Sequence, residues 1–241
     1  MIRLTAFAVL LSSLMVAGIA NAAPANWPLV RVPWIGCPSD GQQGPERPPP
    51  AKRFEEVQID PSLAPRLAYY ASRYSEGLGP RGWHCLGLEG SNGVQLLLAK
   101  APLPKDPLSA VRQKLHGPAV VFASMSGETS GRFDVAIWVM RYFPRHRVFA
   151  DAVIAEGLEP ASNFPAGVLP GDRILSRTPD RVVVETPPHR KGEGADSWLA
   201  PDDLPIISVV RFDADPPGGR SVSVKLAPEQ RDLLPVLLGQ L

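Results

Sequence analysis

Apolar and polar positions recur along this chain in short runs, and each run predicts a short element. Arg53 to Ile59 alternates, with Phe54, Val57 and Ile59 nearly on one face, which predicts a strand. Asp60-Pro61 supplies a cap and a first-turn proline. Leu63, Leu67, Tyr70 and Tyr74 then recur at helical spacing, predicting a helix to about Ser75 that Gly77 ends. Trp83 to Leu88 and Val94 to Ala99 read as two strands of a hairpin. The turn between them is Gly90-Ser91-Asn92-Gly93, in which Asn92-Gly93 is the pair a type I′ turn prefers. Asp106-Pro107 repeats the capping signal ahead of Leu108, Val111 and Leu115, a second helix.

The second half continues in the same way. Pro118 to Ser124 reads as a buried strand, and Ser126-Gly127-Glu128-Thr129-Ser130-Gly131 as a polar turn. Ser130 is placed to cap a helix over Arg132–Phe143. Pro144 restarts a helix that runs to about Glu156, with Val148, Phe149, Val153 and Ile154 toward the core. Strands follow near Arg173–Ser176, Arg181–Thr186, Ile206–Phe212 and Ser221–Leu226, with a polar loop over Pro187–Ala200. Asp215 to Gly219 links the last two strands, and Pro228–Leu241 is a closing helix that Pro235 interrupts. Strands and helices do not alternate strictly, and the last strands meander. The predicted class is α+β, with a largely antiparallel sheet and several short helices.

The first 22 residues carry the pattern of a secretory signal peptide: Arg3, an apolar run from Leu4 to Gly18, and Ala20-Asn21-Ala22 as a small-x-small cleavage site. No cysteine follows that site closely and no later run is long enough to span a bilayer. The expected mature chain therefore has no transmembrane anchor. It is exported, with the periplasm as the expected compartment. Residues 23–52 read as an extended arm, Pro-rich from Pro38 to Pro50, and 53–241 as a single α+β domain.

Composition narrows the class further. Hydrophobic residues make up 44% and charged residues 20%, which suits a folded chain rather than a disordered one. A net charge of +1 gives no reason to expect nucleic acid as a partner. The 28 prolines cut the chain into short elements. Cys37 and Cys85 are the only two cysteines, and in an oxidising compartment they are expected to pair. Such a bridge would close a loop of roughly 48 residues. His84 beside Cys85 also suggests an imidazole-activated thiolate. Adjacent strand residues point to opposite faces, however, which favours the disulfide.

The familiar catalytic patterns are absent from the sequence. It has no Gly-x-Ser-x-Gly elbow, no Ser-x-x-Lys pair, no His-Glu-x-x-His and no Walker loop. The four histidines are scattered, so neither a metal nor another cofactor is expected. The remaining candidates are surface-recognition residues. Arg81 and Trp83 form a stacking and ion-pairing couple, with His84 beside them. Asn92 sits in the hairpin turn. Ser126, Ser130 and Arg132 surround a helix start, which can cap the helix or receive an anion.

Gly79-Pro80-Arg81-Gly82-Trp83-His84-Cys85 followed by Gly90-Ser91-Asn92-Gly93 resembles an uncharacterised family of exported proteins of Gram-negative bacteria. Ser130-Gly131-Arg132-Phe133 and Ala155 to Ser162 are similar to later blocks of that family, so the likeness covers most of the mature chain. Where the family pattern has an aromatic after the cysteine, this chain has Leu86. The resemblance implies export and a shared fold, and no chemistry. The expected function is a periplasmic, non-catalytic binding or accessory protein whose partner is an envelope component or another periplasmic protein. Two alternatives stand beside it. One is a hydrolase or transferase using the Ser126–Ser130 turn or His84. The other is an assembly role in which the Pro38–Pro50 arm docks on a partner.

Overall fold

A computed structural model describes residues 27–41, 44–104 and 114–241. The expected signal segment and most of the helix read after Asp106-Pro107 lie outside the described residues. Among the described residues twelve strands are formed: β1 (Leu29–Gly36), β2 (Ser39–Asp40), β3 (Phe54–Gln58), β4 (Leu67–Ala71), β5 (Glu76–Pro80), β6 (His84–Gly90), β7 (Gly93–Ala99), β8 (Ala119–Ser126), β9 (Arg173–Arg177), β10 (Arg181–Thr186), β11 (Ile206–Ala214) and β12 (Pro217–Lys225). The α-helices among the described residues are short: α1 (Arg132–Tyr142), α2 (Arg147–Ala155), α3 (Glu193–Asp196) and α4 (Leu234–Leu238). One sheet has eight strands in the order β2-β6-β7-β8-β12-β11-β10-β9, and the other has four, β3-β1-β4-β5. The pairings are antiparallel except β1 with β4 and β2 with β6. The chain is thus α+β and largely antiparallel.

Alternation along the central strands sets the layers. Leu96, Leu98, Val120, Phe122, Val222 and Val224 point to one face of the large sheet. There they meet Val32, Leu67, Ala68, Tyr70 and Leu78 of the small sheet, and Leu233, Leu237 and Leu238 near the C-terminus. Leu96 and Leu98 are fully buried, and each such side chain contributes about 1.5–3 kcal/mol relative to exposure. Val182, Val184, Val210 and Phe212 point to the opposite face, against Val135, Val139, Tyr142 and Phe143 of α1 and the residue after it, and Ala150 and Val153 of α2. Gly77 on β5 has no Cβ because Phe122 lies where one would go, 2.6 Å away. The glycine-rich central stretch therefore marks where the two sheets approach each other.

Several sequence expectations change in three dimensions. The helix predicted to Ser75 is a single 3-10 turn over Ala64–Arg66, followed by β4 and β5. Leu67 to Ala71 is buried on nearly every side, so its apolar spacing does not distinguish a helix from a central strand. Pairing with β1 and β5 then decides for the strand. Val148 is exposed rather than toward the core. The closing helix is a 3-10 stretch, Pro228–Leu233, that becomes α4. Pro187–Ala200 is not a plain polar loop, because it contains α3 and buries Glu193, Gly194, Ala195, Leu199 and Ala200. The expected arm supplies β1, an internal strand of the small sheet, and β2. Glu46 ties the Pro-rich stretch back to Ser39 through two backbone hydrogen bonds and to Arg73 through an ion pair of 2.7 Å.

Candidate functional site

The helical face of the large sheet is covered at both ends and left open between them. α1 and α2 cover β9 to β12. At the other end Leu115, Ala195 and Leu199 pack on Leu86, Leu97, Ala119 and Val121. That end is clasped by backbone bonds between Leu115 and residues Trp198 and Ala200. The fully buried Lys225 ammonium of β12 secures it further, donating to the Leu115 and Ala200 carbonyls and to Asp202 at 2.7–3.0 Å. Burial pushes the Asp202 carboxyl up, but Lys225 and the Gly117 and Leu204 amides outweigh this and hold it below its usual value.

Between the two covers, Gln95, Ala123 and Ser221 form one row across β7, β8 and β12. These short or polar side chains leave a cavity of about 180 Å³. α1 supplies Asp134, Ile137, Trp138 and Arg141 to its walls; α3 and the residues after it supply Glu193, Asp196, Ser197 and Trp198. The space equals about six waters at roughly 30 Å³ each, well below a drug-sized pocket.

The wall on the α3 side is a fixed polar network. Glu193 is 6% exposed and its carboxylate accepts from Trp138 Nε1 at 2.6 Å, Arg141 Nη1 at 2.8 Å and the Tyr142 hydroxyl at 3.0 Å. Asp172 holds the start of α3 by accepting from the Glu193 backbone at 2.8 Å, and it also accepts from the Thr186 hydroxyl. Arg141 also reaches Asp196 at 3.0 Å, while its buried Nε finds no acceptor among the described residues. Burial pushes the Glu193 carboxyl up against the pull of Arg141. Burial also works to lower the Arg141 guanidinium, but the Glu193 charge keeps it above its usual value. The network holds the Trp138 indole edge in one orientation at the cavity wall.

The floor is different, because its polar groups are only lightly bonded. Gln95 is 8% exposed, and among the described residues its side chain contacts only the Met125 thioether, 3.9 Å away, a weak acceptor. Ser221 is 9% exposed as a residue, shows no side-chain hydrogen bond among the described residues, and is not among the buried orphaned groups. Asp134 receives one long contact from the Asn92 amide, 3.4 Å, and burial holds its carboxyl above the usual range. Lightly bonded polar groups facing one space are available to whatever enters it.

The residues singled out from the sequence fall into two groups. Asn92, Ser126, Ser130 and Arg132 come together where the hairpin turn meets the start of α1. Ser130 Oγ donates to Ser91 Oγ at 2.9 Å, and the Asn92 carbonyl accepts from the Ser126 backbone at 3.4 Å. Ser130 does not cap α1, whose N-cap is Gly131 with no side-chain capping bond. Arg132 is committed to Glu156 through a two-pronged ion pair, to the Thr129 carbonyl and to the Phe133 ring. The hairpin turn is not type I′, since His189 is the only non-glycine with positive φ among the described residues. Only Asn92 of this group touches the cavity's lining, through Asp134.

Arg81, Trp83 and His84 are not part of that assembly. Arg81 and His84 are exposed, and His84 pairs with Ala99 at the open end of the hairpin, opposite its turn. Trp83 is buried in the core cluster that contains Cys37, and its backbone donates to the Tyr70 hydroxyl at 3.0 Å. Cys37 and Cys85 form a disulfide, which leaves no thiol for the nucleophile reading.

Gln95, Ser221, Trp138, Trp198 and Glu193 were not singled out from the sequence. A signal existed for the floor: Gln95 interrupts the apolar run Val94–Ala99, and Ser221 and Ser223 alternate with Val222 and Val224. The alternation alone reads as an exposed face, and only the cover of α1 and α3 makes it an interior one. A larger concavity of about 460 Å³ beside Pro48–Pro50 and Arg73 is a wide surface groove lined also by Glu46, one of whose carboxylate oxygens pairs with Arg73 while the other is buried without a partner among the described residues. Among the described residues no helix is long and apolar enough to cross a membrane. No family model, curated protein or solved structure matches the chain.

Proposed function

We propose that the chain is an exported, non-catalytic binding protein of the cell envelope, and that the cavity between α1, α3 and the large sheet seats a small ligand. The observation that carries this reading is the cavity itself, whose floor presents the Gln95 amide, bonded only weakly to Met125, beside the Ser221 hydroxyl, for which no protein partner is found among the described residues. Polar groups placed in this way can bond water or a ligand that enters the space. Export is supported by the Cys37–Cys85 disulfide, since such bonds persist in oxidising compartments, and by the leader-like first 22 residues. The likeness to exported Gram-negative proteins makes the periplasm the compartment proposed. The alternative, a hydrolase or transferase, has less support. The Ser126 hydroxyl accepts the Glu128 amide and Ser130 bonds Ser91, so both serve the turn, with no base attached.

The reading is tested by enrichment. Wild-type protein and an Ala123→Met variant, whose longer side chain fills the floor, are incubated with a low-molecular-weight extract of the envelope. A compound retained by the wild type and lost from the variant supports the proposal. Identical profiles for the two proteins count against it.

A further inference from the structure

Resting on the reading of the cavity as a ligand seat, we infer that its ligand is an uncharged polyhydroxylated ring: one saccharide unit, free or at the end of an envelope glycan. Size sets the first limit. Room for about six waters admits a single sugar ring and excludes an oligosaccharide lying within it.

The chemistry of the floor groups sets the second. An amide presents both an acceptor oxygen and donor hydrogens, and a serine hydroxyl both gives and accepts. Gln95 and Ser221 are therefore matched to hydroxyl groups, which also do both. A fixed anion would use only the donors of these two groups, and a fixed cation only their acceptors. The registered row Gln95, Ala123, Ser221 places the two groups two strands apart, about 10 Å between backbones, so they reach inward from opposite sides of Ala123. Asp134 adds an acceptor on the wall.

The remaining walls supply flat apolar surface. Trp138 and Trp198 both line the space, and indole faces pack well on the C–H face of a sugar ring. Trp138 arrives oriented, because Glu193 holds its indole N–H. That pre-ordering reduces the entropy lost on binding. Charge argues the same way. Glu193, 2.8 Å from Arg141, is compensated within the wall, and Arg141 is held by Asp196 as well. An anionic ligand thus meets no uncompensated cation among these groups.

The test is calorimetric titration, with tryptophan fluorescence as a second readout, on the full mature chain. The probes are free hexoses, pentoses and N-acetylated amino sugars, their methyl glycosides and disaccharides, and tetramethylammonium, acetate and phosphate as charged controls. Saturable binding of a neutral sugar is expected, and Gln95→Leu should weaken it about tenfold or more with the thermal midpoint preserved. Binding of the methyl glycoside as tight as the free sugar identifies a glycan end, whereas loss on methylation identifies a free sugar. If no neutral sugar binds, or if Gln95→Leu binds it as tightly as wild type, the saccharide assignment is wrong. Binding of a charged control that Ala123→Met abolishes would sink the assignment while leaving the ligand seat standing. Sugar binding that Ala123→Met leaves unchanged would remove the seat as well.

Discussion

At the scale of single residues, Asp134 shows how the cavity is tuned. It stands on the inner side of α1 with one long contact to Asn92, and Arg141, Glu193 and Asp196 share its cavity. Burial raises its carboxyl above the usual value, so the folded chain binds more protons than the unfolded chain between those two values. Stability therefore falls as pH rises through that window and stays lower above it. Asp134→Asn is expected to raise the denaturation midpoint at neutral pH and to flatten this slope, while the difference disappears at a pH below the ordinary carboxylate range. Chemical denaturation from acid to neutral pH measures it, and an unchanged neutral midpoint would mean that the carboxyl is solvated as freely as in the unfolded chain.

At the scale of elements, the cavity exists because two covers of the same sheet face stop short of each other. The α1–α2 cover is a hydrophobic contact with β10 and β11. The other cover depends on Lys225, whose three acceptors come from the segments before β8 and after α3. Lys225→Met keeps the stem's volume but takes the ammonium from the Asp202 carboxylate and from two carbonyls, each of which is left with a single backbone amide. Breaking a buried ion pair in this way costs about 3–5 kcal/mol. Urea unfolding should show that loss, together with faster amide exchange at Leu115 and Ala200. A cost below about 1 kcal/mol would mean that water replaces the ammonium without strain.

At the scale of the molecule, the disulfide spans both sheets. Cys37 follows β1 of the small sheet and Cys85 lies on β6 of the large one, 48 residues apart. Closing such a loop restricts the unfolded chain by about 4 kcal/mol on the chain-entropy estimate. The paired replacement Cys37→Ala with Cys85→Ala should lower stability by that order, measured by denaturation without reductant. Because the bridge lies on the face away from the cavity, ligand binding by the fraction that remains folded should be preserved. Loss of binding in a folded double variant would show instead that the sheets must be clamped for the cavity to form.

Much of the fold was legible in the chain before any coordinates. Alternation located β3, because a half-buried strand leaves a period of two in its own sequence, while short apolar runs bounded by turn residues located the β6–β7 hairpin, β8 and the four strands from β9 to β12. The pairing of Cys37 with Cys85 followed from their number and setting. Where residues are buried on both sides, as from Leu67 to Ala71, periodicity vanishes, and the neighbouring strands alone chose between helix and strand. Ser130 looked like a cap, yet the hairpin turn took its hydroxyl. The cavity was hidden for a related reason. Local sequence records that Gln95 and Ser221 are polar and that they sit on strands. Whether their face meets water or the underside of α1 and α3 depends on contacts between residues far apart in the chain, and only the tertiary structure decides them.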